Sequence, residues 1–87
     1  MTGPETDAVI TFDSTHQAMA AEDHLRAAGF RLEVIPPPAA LGAGCGLAIR
    51  VRTVDVPAVE AILDGNNVAF EGIHELGAGQ EVAARLR

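Results

Sequence analysis

The side chain with the most distinctive chemistry is Cys45, the only cysteine of the chain, set in the tripeptide Gly44-Cys45-Gly46. One thiol cannot close an internal disulfide, so its chemistry is that of a free sulfhydryl. The reactive form is the thiolate, which attacks sulfur electrophiles in exchange reactions. Gly44 and Gly46 bear no side chains that would shield the sulfur. A free cysteine can equally be a small buried apolar residue with no reaction to perform. The residues alone leave both readings open.

No second constellation competes with it. His16, His24 and His74 are scattered and are read as surface residues. A metal site needs three or four converging ligands, so no metal is expected, and no cofactor. There is no Walker loop, dinucleotide-binding glycine fingerprint or nucleophile elbow. Gly42, Gly44 and Gly46 precede a strand and not a helix, which argues against a phosphate cradle. Arg50 and Arg52 alternate along that strand. They are either a solvated face or a contact for an anion or carboxylate on the open side of a sheet.

The elements that must position Cys45 can be read in order. Residues 1–7 are a flexible lead-in, and residues 8–12 (AVITF) a first strand. Ser14, with Gln17 three places on, forms a capping-box pattern that starts a helix. Ala18, Ala21, Leu25 and Ala28 line its apolar face, and Gly29 stops it in the left-handed conformation, with Phe30 folding back. Residues 31–35 alternate as a second strand, ended by prolines 36–38. Residues 46–52 are the clearest strand, with Leu47, Ile49 and Val51 on one face. Asp55 is expected to cap a second helix, with Val56, Val59, Ile62 and Leu63 as its stripe. Residues 68–76 read as a fourth strand, with a bulge at Glu71-Gly72 restoring its parity. Residues 8–76 thus form a single α+β domain, followed by residues 77–87 as a tail or short helix.

The order strand, helix, strand, strand, helix, strand is that of the ferredoxin-like split β-α-β-β-α-β fold. Its antiparallel sheet runs 4-1-3-2, with both helices on one face. In that arrangement the loop before the third strand lies beside the start of the first helix. Cys45 is then expected near Ser14, Thr15 and His16. The positive helix end would favour a thiolate, and His16 could accept a proton or pair with it. Asp13 would act against it.

Composition narrows the function classes. The chain has 87 residues, 48 % of them hydrophobic but only 3 % aromatic. A core built so largely from alanine is thin, and small domains bury a limited share of their surface. A homodimer or a partner protein would complete it. The net charge of −6 disfavours phosphate backbones and anionic membranes, so neither nucleic acid nor membrane is expected. The first residues have neither a basic nor an apolar signal-peptide region. With one free thiol, a cytoplasmic location fits.

Along residues 8–76 the chain resembles the selenium/sulfur (Se/S) carrier-like proteins, a group of small prokaryotic domains. The resemblance rests on Ile10-Thr11-Phe12-Asp13-Ser14-Thr15, the alanine-rich helix ending at Gly29, the proline loop at 36–38, and the strand Cys45-Gly46-Leu47-Ala48-Ile49-Arg50. It implies that Cys45 carries sulfur or selenium as a persulfide or selenide, that Gly46 gives access, and that Arg50 is the family's arginine. The chain departs from the pattern where relatives have an arginine after the prolines and serines before the cysteine. Here those positions hold Ala39, Gly42 and Gly44.

The resulting expectation is a carrier whose Cys45 thiolate relays a persulfide between a donor and an acceptor protein. It is a relay more than a stand-alone enzyme. The alternative is a non-catalytic regulatory or assembly module that acts through dimerisation or binds a small ligand. A redox sensor built on the same thiol is a third reading.

Overall fold

A computed structural model describes residues 7–37, 46–76 and 82–85. Its elements are β1 (Asp7–Thr11), α1 (Thr15–Ala27), β2 (Leu32–Ile35), β3 (Ala48–Arg52), α2 (Val56–Gly65), β4 (Gly72–Leu76) and β5 (Val82–Arg85), with a 3-10 turn at Thr53–Asp55 between β3 and α2. The strands form one sheet in the order β2-β3-β1-β4-β5, and every neighbouring pair is antiparallel. The first four strands and two helices have the α+β ferredoxin-like arrangement. The fifth strand extends it beyond β4. Where the sequence suggests a tail or short helix, Val82–Arg85 pairs with β4, because the open edge of β4 supplies hydrogen-bond partners that an isolated segment lacks.

Period-two alternation decides which face is covered. Ala8, Ile10 and Phe12 on and just after β1, Ile49 and Val51 on β3, and Ile73 on β4 form one cluster with Ala18, Ala21 and Leu25 of α1 and Val56, Val59 and Leu63 of α2. Ala18 and Ala21 are buried in the α1 stripe, so the helix packs with little side chain between its backbone and the sheet. On the opposite face Val9 is buried between its register partners Arg50 and His74. Thr11 is buried likewise, between Ala48 and Gly72.

Both helices end in the same way. Gly29 has φ 90°; its N–H donates to Arg26 O at 3.0 Å and that of Phe30 to Leu25 O at 3.1 Å. Asn67 has φ 59°; its N–H donates to Asp64 O at 3.2 Å and that of Val68 to Leu63 O at 2.9 Å. Each is a Schellman motif, with an apolar residue, Phe30 or Val68, returned to the core.

Several boundaries differ from the sequence reading. β2 and β3 are shorter, and β4 begins at Gly72 and not at residue 68. Before β4, the Val68 N–H closes α2 and that of Ala69 donates to Gln17 Oε1 at 3.0 Å, while Glu71 already donates to Thr11 O of β1 at 2.7 Å. A register irregularity falls between Glu75 and Leu76 on the β5 side, while on the β1 side both Glu71, through its N–H, and Gly72, by register, face Thr11. Asp55 makes no side-chain capping bond. Its carboxylate accepts from Arg52 Nε at 3.3 Å instead.

Candidate functional site

The start of α1 is assembled as its sequence indicates. Ser14 is extended, and its Oγ accepts the Gln17 N–H at 3.2 Å. That amide is therefore not offered to a bound anion or thiolate, whereas the Ser14 O–H remains a donor. The second half of the capping box is absent, because Gln17 Oε1 is spent on Ala69. Thr15 opens the helix, and His16 is exposed on its first turn.

Gly46 lies two residues before Ala48, whose register partner Thr11 lies four residues before Thr15. The β3 entry and the α1 start are thus at the same end of the sheet. Gly46 is exposed, and among the described residues a Cβ there would meet nothing within 4 Å beyond its chain neighbours. Gly44 and Cys45 lie outside the described residues, as do Ala39 and Gly42.

Arg50 is not directed toward that end. Its guanidinium donates to Glu33 of β2 and forms an ion pair with Asp7 of β1, Nε to Oδ2 3.7 Å. Asp7 is paired in register with Arg52, two residues further from Ala48. The side chain therefore leans away from the loop that precedes β3, and both partners were unforeseen in the sequence, since neither is adjacent to Arg50 along the chain. His74, read as a surface residue, is half-buried, with Nε2 3.5 Å from Thr11 Oγ1. The Thr11 hydroxyl also donates to Gly72 O at 3.4 Å. The β1–β4 register sets this pairing, and the separation of 63 positions hides it in the sequence.

Among the described residues, no group of three or more His, Cys, Asp or Glu side chains is placed to hold a metal. No described helix is long and apolar enough to cross a membrane.

The family model described as "Putative Se/S carrier protein-like" matches residues 7–75. The chain belongs to this family. The span that it shares with the Se/S carrier-like proteins begins at the first residue of β1 and stops one short of the end of β4. It includes Cys45, both helices and the four-strand core, and leaves β5 outside. No curated protein and no solved structure matches the chain.

Proposed function

We propose that this Se/S carrier-like chain carries sulfane sulfur or selenium on Cys45 and relays it between a donor and an acceptor protein. The observation that carries the reading is the family match over 7–75, in a chain with one thiol. In the uptake step the Cys45 thiolate attacks the terminal sulfur of a donor persulfide, R–S–S–H. A new S–S bond forms on Cys45, the donor S–S bond breaks, and its electron pair leaves with the donor as R–S⁻. The proton stays on the transferred sulfur, and no external oxidant is needed. Release repeats the step with the acceptor thiolate as the attacking group, and selenium takes the place of sulfur without changing the balance.

The start of α1, on the same end of the sheet as Gly46, supports thiolate formation through its partial positive charge. The N-cap Ser14 keeps an O–H donor at that helix end. The chain's net charge of −6 favours basic partners through electrostatic steering, and a cytoplasmic setting would keep the thiol reduced.

The test is mass spectrometry after incubation with a persulfide donor, beside alkylation rates across pH. The wild type gains the mass of one sulfur atom, and its labelling midpoint falls below about 8.5, the value for a free thiol. Cys45→Ser gains nothing. Labelling of the wild type that appears only on unfolding would mean a buried structural thiol, and the assembly-module reading would replace the relay.

A further inference from the structure

At the end of the sheet away from Gly46, a groove of about 410 Å³ opens across the start of β2 and the end of β3. Its volume lies within the range of small-molecule sites, about 300–1,000 Å³. Charges of both signs line it: Arg31, Arg50 and Arg52 with Asp7 and Glu33. They are unequally matched. Arg50 is held by two carboxylates at once, Glu33 and Asp7. One guanidinium neutralises one carboxylate, so this trio carries a surplus negative charge. Arg52 is matched by Asp55. Arg31 is exposed and, among the described residues, forms no ion pair, so it carries a surplus positive charge. Arg31 and Glu33 are two apart, which puts both on one side of the chain as it enters β2.

We propose that this groove binds an α-amino acid, its carboxylate on Arg31 and its ammonium group against Glu33 and Asp7. A guanidinium presents a fork of N–H donors that suits a carboxylate. The same two acidic side chains would repel a phosphate, whose charge is about −1.5 to −2. A simple carboxylate would leave the negative surplus unmatched. A zwitterion answers both ends without changing the net charge of the groove. Of the residues tied to the carrier reading of Cys45 this groove shares only Arg50, and the two that define the proposal, Arg31 and Glu33, play no part in that reading.

The experiment is a titration of the ¹⁵N-labelled full chain with L-alanine, and separately with acetate, methylammonium and inorganic phosphate. L-Alanine is expected to give saturable shifts confined to the amides of residues 31–33 and 50–52, with acetate and methylammonium each about tenfold weaker or more. Arg31→Gln removes the positive surplus and Glu33→Gln the negative one. Each is expected to weaken L-alanine by about tenfold, whereas Arg26→Gln, on the far helix, leaves it unchanged. Cys45→Ser is also expected to bind normally, which separates this proposal from the relay. Absence of saturable shifts at these amides overturns the proposal. So does acetate or phosphate binding as tightly as L-alanine, or equal binding by Arg31→Gln.

Discussion

At the residue scale, backbone conformation and side-chain identity make separable demands. Gly29 sits at φ 90°, yet a Cβ built there meets nothing within 4 Å. Any cost of Gly29→Ala is therefore conformational and not steric, about 1–2 kcal/mol. Asn67, at φ 59°, occupies the equivalent place after α2, and Asn67→Gly is expected to be neutral or slightly stabilising. Urea unfolding of the two variants checks the pair. Equal stability of Gly29→Ala and wild type would show that the left-handed turn is not required. The charged residues behave differently. Arg50 is held by Glu33 and Asp7, but its side chain is 41 % exposed, and exposed pairs contribute at most about 1 kcal/mol. Its ion pairs orient the groove more than they hold the fold.

At the scale of elements, the capping box is the clearest case of a motif half fulfilled. Ser14 caps α1 as the pattern S-x-x-Q requires, but Gln17 crosses to Ala69 and ties the start of α1 to the segment ahead of β4. Ser14→Ala should cost about 1 kcal/mol through the helix end alone. Gln17→Ala should cost a similar amount, about 1 kcal/mol, and should also speed hydrogen exchange at the Ala69 amide. Unchanged exchange there would mean that the cross-link is not formed in solution. The two Schellman endings show what was legible in the chain and what was hidden. Gly29 announces itself because glycine is the usual left-handed residue. Asn67 stands in a run of four turn-forming residues, 64–67, and only the closed hydrogen bonds single it out.

At the scale of the whole molecule, the family span and the sheet do not end together. The match stops at residue 75, whereas the sheet continues to β5. A chain ending at Leu76 retains every contact among β1–β4, α1 and α2. It is expected to unfold cooperatively at a lower urea concentration than wild type, with faster amide exchange confined to β4. Loss of cooperative unfolding would mean that β5 is part of the folding unit. The two ends of the sheet also differ in chemistry. Gly46 and the start of α1 lie at one end, and the arginine-lined groove at the other. The proposed relay on Cys45 and the proposed ligand site can be tested separately, through Cys45→Ser and Arg31→Gln.

The sequence by itself determined the elements whose signals are local. β1, α1, β3 and α2 follow from apolar periodicity, Ser14 and Gly29 from capping and left-handed geometry, and the thiol from the presence of a single cysteine. The order of these elements sufficed for the ferredoxin-like arrangement, because crossover handedness leaves few ways to connect them. Tertiary structure decided whatever depended on distant partners. Residues 68–71 look like strand, yet the Ala69 N–H goes to Gln17, 52 positions earlier. Residues 82–85 carry no strong strand pattern, yet the edge of β4 recruits them. Arg50 turns toward Glu33 and Asp7, both far from it along the chain. In each case the hydrogen bond or ion pair that settles the matter joins atoms whose proximity exists only once the chain has folded.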